Sequence, residues 1–341
     1  MPKPYFRPLM QNVPVRPAGA VTLAGGWTWF THVEVLSRAN EPFIIAAADV
    51  PQDVLDRLTA PRKPVAGLDL SRPNLMGILN VTPDSFSDGG QFTDPHLARE
   101  HALSMVSNGA DIIDIGGEST RPGADLVEVE QEIARTAPTI AAIRKSSSVP
   151  ISIDTRKACV AAQALAAGAS LVNDVSAFTF DPSLAQTTAR AGAPVCLMHA
   201  QGDPDVMQND PRYDDVLLDV YDFLNVRIGV AEAAGIPRDR IIVDPGIGFG
   251  KTIAHNLAIL NRLSLFHGLG CAVLLGASRK KFIGTLGDAP EARDRTPGSI
   301  AVALAAVAQG VQIVRVHDIK DTKQALALWQ SVHQGEAADV T

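Results

Sequence analysis

The sequence predicts an α/β protein of the (β/α)8 barrel class with an N-terminal extension. Three observations predict this fold: short apolar runs alternate with helical stretches, the alternation occurs eight times, and almost every run ends in a polar residue. Runs that are apolar almost throughout indicate strands buried on both faces, hence a parallel sheet. Eight βα units over about 250 residues fit a closed barrel. An open doubly wound sheet would gather its polar residues at one switch point, so their wide distribution favours the barrel.

The eight predicted strands follow one another at regular intervals. They are LMGILNV (75–81), DIIDIG (111–116), PISIDT (150–155), LVNDV (171–175), PVCLMH (194–199), IIVDPG (241–246), AVLLGAS (272–278) and QIVRVHD (312–318). The stretches between them, such as EVEQEIARTAPTIAAI, have helical character, and several end in glycine, as helices commonly do. We therefore assign residues 74–335 to one catalytic barrel domain.

Residues 1–73 lie outside this repeat. AVTLAGGWTWFTHVEVL alternates enough for one or two strands, FIIAAADV and PQDVLDRL predict a strand and a short helix, and LTAPRKPVAGLDLSRP has the composition of a linker. No residues in the extension suggest chemistry. We expect it to cap or flank the barrel.

Composition and charge narrow the class of protein. The chain has 341 residues, 46% of them apolar, which is enough to bury a large core. Its net charge of −7 argues against nucleic acid as a partner, because such binding usually needs a basic face. No apolar run approaches the roughly 20 residues of a membrane helix. Cys159, Cys196 and Cys271 lack metal-ligand spacing. We expect a cytoplasmic protein that binds neither nucleic acid nor membranes.

Polar residues at the predicted strand ends are the candidate functional residues, because barrel active sites lie there. They are Asn80, Asp114, Glu118, Asp154, Asn173, His199, Asp244, Ser278, Arg315 and His317, with Arg279 and Lys280 nearby. Carboxylates and amides suit a flat heterocycle rich in N–H groups, and the cations suit an anion. The set predicts a site for a heterocycle that carries a phosphate group. Taken singly, Asp114 is as well explained as a helix cap, and His199 is better explained as a structural histidine.

Three glycine-rich segments also attract attention. TPDSFSDGGQFTD and ESTRPGADLVE follow the first two strands, where polar loops are usual sites of function and motion. DPGIGFGKT ends like a GxxxxGKT nucleotide-binding loop, but Pro245 stands where the first glycine is required. A nucleoside triphosphate site of that kind is therefore excluded.

The motifs as a group resemble those of the dihydropteroate synthases, a family of pterin-binding enzymes. In family order they are GILNVTPDSFSDGG, IIDIGGESTRPGA, SIDT, VNDV, CLMH, DPGIGFGK, GASRKKFIG and IVRVHD. The resemblance implies a transferase that condenses 6-hydroxymethyl-7,8-dihydropterin diphosphate with 4-aminobenzoate, giving 7,8-dihydropteroate and diphosphate in folate biosynthesis. It also implies Mg2+ as cofactor, competitive inhibition by sulfonamides, and a homodimer formed through helices of the outer ring.

The resemblance further implies a role for each matching residue. The pterin ring would be bound by Asp154, Asn173, Asp244 and Lys280, between the apolar walls Met198 and Phe249. The diphosphate would be held by Asn80, Arg315 and His317, with Arg121 closing over it and Mg2+ at Asn80. The 4-aminobenzoate pocket would include Thr120, Pro122, Ser278 and Lys280, with Asp84 and Phe86 on the closing first loop. The implied catalytic residues are Arg121, Arg315, His317, Lys280 and Asp84.

Two other functions stay open on the residues alone. A corrinoid-linked methyltransferase barrel that binds methyltetrahydrofolate would share the pterin pocket, but it would not need ESTRPG or the SRK and RVHD cations. An inactive pterin-binding protein would show losses among the anion-binding residues, which are all present. Ile247 stands where family members often carry phenylalanine, which changes the shape of one wall.

Overall fold

Five short strands and one helix precede the barrel. The structure is a computed structural model and describes residues 3–82, 95–119, 126–202 and 210–335. The elements of the extension are β1 (Tyr5–Pro8), β2 (Val21–Thr22), β3 (Trp29–Phe30), β4 (His32–Leu36), β5 (Phe43–Ala46) and α1 (Gln52–Thr59). Strands β1, β4 and β5 form one antiparallel sheet, and β2 pairs with β3. The sequence predicted the helix and two or three of these strands, but it missed β1, which follows Pro4 and ends at Pro8.

The next strands form the predicted barrel. They are β6 (Asn74–Asn80), β7 (Ile112–Gly116), β8 (Ile151–Asp154), β9 (Leu171–Asp174), β10 (Val195–Met198), β11 (Ile241–Asp244), β12 (Ala272–Leu275) and β13 (Ile313–Val316). All pair in parallel in chain order, and β13 pairs back to β6, so these eight described strands close the sheet. The predicted (β/α)8 fold class is confirmed.

Helices alternate with these strands on the outside of the barrel. They are α2 (Pro95–Ser107), α3 (Val129–Arg144), α4 (Ala158–Ala167), α5 (Ser183–Arg190), α6 (Val216–Ala234), α7 (Ile253–Asn261), α8 (Lys281–Leu286), α9 (Thr296–Ala308) and α10 (Ile319–Gln334). Gly168 and Gly235 end α4 and α6 in the left-handed conformation, as their positions predicted. In the described part of the chain, no helix is long and apolar enough to span a membrane.

One helix is shorter than its sequence pattern predicted. The apolar periodicity continues to Phe266, but α7 ends at Asn261 and a 3-10 helix follows at Leu263–Leu269. Every residue of this 3-10 helix is buried, and the segment packs against β1. Tertiary packing therefore overrides the local helical pattern here.

The segment with linker composition, which contains Val65, Leu68 and Leu70, closes the barrel at the N-terminal ends of its strands, here called the lower end. Val65, Leu68 and Leu70 are each at most 2% exposed, and they pack against one layer of side chains inside the barrel. That layer lies towards the N-terminal ends of the strands and contains Met76, Ile112, Leu171, Cys196, Ile242, Ala272, Leu274 and Ile313. The opposite, carboxyl ends of the strands carry the polar residues.

The rest of the extension has a small core of its own, which includes Phe30, Val33 and Leu58. Side chains of the extension donate hydrogen bonds to backbone carbonyls of the barrel. The indole Nε1 of Trp27 donates to the Val307 carbonyl at 3.0 Å. These contacts hold the extension against the side and lower end of the barrel.

We predict that Leu70→Ala lowers the free energy of unfolding by about 2–5 kcal/mol, because it leaves a cavity at the lower end of the barrel. The matched control Leu328→Ala removes a side chain that is 63% exposed, so it should change stability by less than about 0.5 kcal/mol. Urea unfolding measures both. Equal effects of the two substitutions would contradict the closing role of Leu70.

Candidate active site

An arginine at the carboxyl end of β13 joins residues from three other strands. Arg315 donates from Nε to Asp114 Oδ2 at 2.6 Å and from Nη2 to Asp154 Oδ2 at 2.9 Å. Asn173 donates from Nδ2 to the same Asp114 oxygen at 3.2 Å. Asp114 is fully buried, and its Oδ1 has no hydrogen-bond partner among the described residues. The ends of β7, β8, β9 and β13 therefore point into one pocket.

Two carboxylates share this single guanidinium. Burial and the charge of Asp114, opposed by Arg315, together raise the pKa of Asp154 to about 7. Burial disfavours the charge on Arg315, but Asp114 and Asp154 outweigh burial and raise its pKa. A ligand that brings N–H donors would relieve this shortage of positive charge.

A second acid–base pair lies at the ends of β11 and β12. Asp244 Oδ1 accepts a hydrogen bond from the Gly246 amide at 2.7 Å, while burial raises the pKa of its carboxyl group. Lys280 Nζ donates to the Ile247 carbonyl and lies 4.1 Å from the centroid of the Phe249 ring. Burial lowers the pKa of Lys280 to about 7, against the opposing charge of Asp244.

Gly276 lies close to both Asp244 and Arg315. A Cβ added at Gly276 would lie 3.5 Å from Asp244 Oδ2 and 3.9 Å from the Arg315 side chain. Gly276 therefore adjoins both the Asp244 carboxylate and the Arg315 side chain, where a larger residue would stand between them.

Asn80 and Met198 also lie at this mouth. A Cβ at Gly116 would lie 3.5 Å from Asn80 Oδ1 and 3.6 Å from Asp154 Cβ, so the Asn80 amide adjoins the Asp154 carboxylate. Met198 is 3% exposed at the end of β10, beside the turn that follows Asp244. Asn80 is half-buried.

The other edge of the mouth holds Ser278 and His317. The His317 backbone amide donates to Ser278 Oγ at 3.2 Å, and its Nδ1 lies 3.0 Å from the same oxygen. Arg279, which the sequence placed among the cations for an anion, instead forms an ion pair with Asp318 at 2.5 Å. Its positive charge is thus balanced by Asp318 within the fold.

Glu118, another predicted rim residue, belongs to a buried ionic cluster with residues of α3, of the segment after β8 and of the chain before α3. It pairs with Arg156 and Lys157, each at 2.5 Å, and accepts a hydrogen bond from the Val127 amide at 3.0 Å. Lys157 also pairs with Glu132 at 2.7 Å. The cluster joins the two ends of the loop segment and explains Glu118 structurally.

The structure brings most of the implied site residues to one end of the barrel. Those at the mouth are Asn80, Asp154, Asn173, Met198, Asp244, Phe249, Ser278, Lys280, Arg315 and His317. The implied residues Asp84, Phe86, Thr120, Arg121 and Pro122 lie outside the described residues.

The sequence did not predict the contacts of two buried residues at the mouth, Asp114 and Lys251. Asp114 stood among the strand ends, but its pairing with Arg315 links residues 201 positions apart, which no local pattern reveals. Lys251 is 3% exposed and follows the turn after β11. The sequence signal that could have identified Lys251 is that it is the only charged residue in PGIGFGK.

A closed parallel barrel whose mouth gathers carboxylates, an amide and cations defines a class of enzyme that binds a polar heterocycle. The family model described as pterin binding enzyme matches residues 76–317. The dihydropteroate synthase of Escherichia coli (strain K12) is 46% identical over 259 residues, which cover 76% of this chain and 91% of that protein. The chain belongs to the dihydropteroate synthase family, transferases of the folate pathway.

Solved structures agree with this membership. Yersinia pestis dihydropteroate synthase with a sulfonamide drug complex superposes with a TM-score of 0.75 at 46% identity, covering 78% of this chain and 96% of that one. Xanthomonas albilineans dihydropteroate synthase with 4-aminobenzoic acid superposes with a TM-score of 0.74 at 46% identity, with the same coverage. These similarities set aside the corrinoid-linked methyltransferase as the family of this chain.

We predict that Asp114→Asn lowers the pKa of Asp154. The substitution removes a like charge and leaves Arg315 to Asp154 alone, and both changes favour the ionised carboxylate. Titration of Asp154 by carboxyl 13C NMR measures the shift, and Asp239→Asn on the far side of β11 serves as control. An unchanged Asp154 pKa in Asp114→Asn would show that the two carboxylates do not share Arg315.

Proposed function

We propose that this barrel mouth condenses 6-hydroxymethyl-7,8-dihydropterin diphosphate with 4-aminobenzoate, releasing diphosphate. The observation that carries the proposal is that Arg315 joins both carboxylates: its Nη2 donates to Asp154 at 2.9 Å, and a Cβ at Gly276 would lie 3.5 Å from Asp244 Oδ2 and 3.9 Å from the Arg315 side chain. Acceptors there match the ring N–H and amino groups of a pterin, and Lys280 matches its carbonyl oxygen. The cations match the diphosphate.

Pterin binding would exchange partners at Arg315. Without ligand, its guanidinium serves both Asp114 and Asp154. Ring N–H donors would take over Asp154, and Arg315 Nη2 would then be free to reach the diphosphate while Nε keeps Asp114. Asn173, held by Asp114, would present its amide to the same edge of the ring. Met198 and Phe249 would form the walls.

Leaving-group activation would dominate the chemistry, because an arylamine is a weak nucleophile. The bond between the pterin methylene carbon and the diphosphate oxygen breaks, and the oxygen leaves with the electron pair. Arg315 and His317, with Arg121 of the second loop, would stabilise that charge. The amine nitrogen forms the new bond to carbon and loses one proton. Positive charge on the pterin during cleavage would be stabilised by Asp154 and Asp244.

The 4-aminobenzoate would bind next to Lys280 and Ser278, together with Thr120 and Pro122. The first loop, including Asp84 and Phe86, would close with the second loop and exclude water from the reacting carbon. Sulfonamides resemble 4-aminobenzoate, so we expect them to compete for the same pocket.

The donor set at Asn80 fits a Mg2+ ion that arrives with the substrate. Within the described ranges, no group of three or more His, Cys, Asp and Glu could hold a metal by itself. Mg2+ keeps several waters and commonly uses one or two protein oxygens plus substrate phosphates. The half-buried Asn80 amide would supply such an oxygen, and the bound ion would neutralise charge on the leaving diphosphate.

We propose a homodimer through the outer ring of helices. Ile253 and Leu257 of α7 and Leu286 at the end of α8 are 36%, 43% and 58% exposed. Ala301 and Ala305 of α9 are also exposed, so α7, α8 and α9 each present exposed apolar side chains. A second copy of the chain would cover them.

The division into an extension, residues 1–73, and a barrel, residues 74–335, is likewise proposed. The separate core of the extension and its contacts to the barrel support a capping or flanking role. A cytoplasmic location fits the free thiols of Cys159, Cys196 and Cys271.

We predict that the wild-type chain releases diphosphate only when both substrates and Mg2+ are present, and that Arg315→Ala lowers turnover by about 10²–10³-fold. A coupled phosphate assay measures both. Arg240→Ala, an exposed arginine at the opposite end of the barrel, is the control and should retain wild-type turnover. Pterin binding without diphosphate release would instead identify an inactive pterin-binding protein. Wild-type turnover in Arg315→Ala would refute the role of Arg315.

We further predict a bell-shaped pH dependence of pterin affinity with a maximum near neutral pH. The raised pKa of Asp154, about 7, means that its acceptor carboxylate is lost as the pH falls below that value. The lowered pKa of Lys280, also about 7, means that its ammonium donor is lost as the pH rises above it. Calorimetry with 6-hydroxymethylpterin, which lacks the diphosphate, avoids titration of the leaving group. Asp154→Asn should remove the acid limb and Lys280→Met the alkaline limb. A flat profile in the wild type would contradict both assignments.

A further inference from the structure

The turn at residues 245–251 fits against the chain that follows β10 with almost no free space. Gly246 and Gly250 have φ angles of +69° and +62°, in the left-handed region. A Cβ at Gly246 would lie 1.9 Å from the His199 carbonyl oxygen, and one at Gly250 would lie 2.5 Å from that of Gln201. The conformation of this turn is therefore defined by its contact with a neighbouring strand end.

Lys251 holds the two segments together from inside. Its Nζ donates to the carbonyl oxygens of Gly246 at 2.8 Å and Phe249 at 3.0 Å, and lies 3.3 Å from that of His199. The side chain is 3% exposed. One ammonium group thus supplies the donors for carbonyls on both sides of the contact.

The imidazole of His199 completes the coordination of this ammonium. Its Nδ1 lies 2.8 Å from Lys251 Nζ. A protonated Lys251 only donates, so with the ammonium form Nδ1 is the unprotonated acceptor. Burial lowers the pKa of His199 well below its usual range, and the charge of Lys251 lowers it further. Burial and the charge of Lys280 lower the pKa of Lys251, against the charge of Asp244.

The same turn sets the position of Lys280. The Ile247 carbonyl accepts a hydrogen bond from Lys280 Nζ, and the Phe249 ring lies 4.1 Å from that atom. A Cβ at Gly248 would lie 3.0 Å from Lys280 Cδ, so the lysine stem rests on the turn. A shift of the turn would therefore move the Lys280 ammonium.

We propose that Lys251 is a positioning residue for pterin binding: with His199 it fixes the turn at residues 245–251, which in turn holds the Lys280 ammonium against the pterin carbonyl. The inference rests on the proposed function, because Lys280 is taken to bind the pterin. An apolar side chain of equal length would fill the same space at a lower desolvation cost, but it would remove the lysine donor from the His199 and Phe249 carbonyls and leave the Gly246 carbonyl with the Phe249 amide alone.

A double-mutant cycle on pterin affinity tests this inference. Calorimetry with 6-hydroxymethylpterin is carried out on the wild type, Lys251→Met, Lys280→Met and the double variant. Lys145→Met, an exposed lysine at the C-terminal end of α3, is the matched control and should bind as the wild type does. We expect Lys251→Met to weaken binding at least tenfold alone and less than twofold when Lys280 is already methionine.

The outcomes separate the inference from the function on which it rests. Absence of binding by the wild type and by Lys145→Met would refute the proposed function. Binding by these two, with unchanged affinity in Lys251→Met or with the same loss in both backgrounds, would overturn the positioning role alone. If Lys251→Met does not fold, Lys251→Gln replaces it in the cycle, because its amide still donates two hydrogen bonds. The same dependence on Lys280 is then expected.

Discussion

The sharing of one guanidinium between Asp114 and Asp154 is the interaction on which the rest of the site depends. Arg315 reaches from the last barrel strand across β6 to β7 and β8, which is possible only because β13 pairs with β6 and closes the sheet. Two carboxylates with one cation leave the pocket short of positive charge. In the proposed function, this pocket binds ring N–H donors and keeps an arginine beside the anionic tail of the substrate.

The fold holds these charged groups in fixed positions. Buried strands fix the backbone under each charged group, and Val65, Leu68 and Leu70 close the lower end of the barrel. The charged side chains of the proposed site lie at the carboxyl ends of the strands. The turn after β11 is not part of a helix or strand, and the buried ammonium of Lys251 fixes its backbone. The same turn provides the carbonyl that accepts a hydrogen bond from Lys280.

The sequence was sufficient for the barrel and for most of the mouth, because strands buried on both faces leave apolar runs and their functional ends leave polar residues. It was not sufficient for pairings between distant side chains. The compensation of Arg279 by Asp318 and the pairing of Arg315 with Asp114 depend on side-chain reach, which has no periodic signal. Short strands such as β1, and a proline-rich segment that packs under the barrel, likewise acquire their structure from tertiary contacts.

A crystal structure of the chain with dihydropterin diphosphate and Mg2+ tests the central claim most directly. The account predicts that the ring lies between Asp154 and Asp244, that its N–H groups replace Arg315 on Asp154, and that Arg315 turns towards the diphosphate while keeping Asp114. An intact Arg315–Asp154 ion pair, with the pterin bound away from both carboxylates, would contradict it.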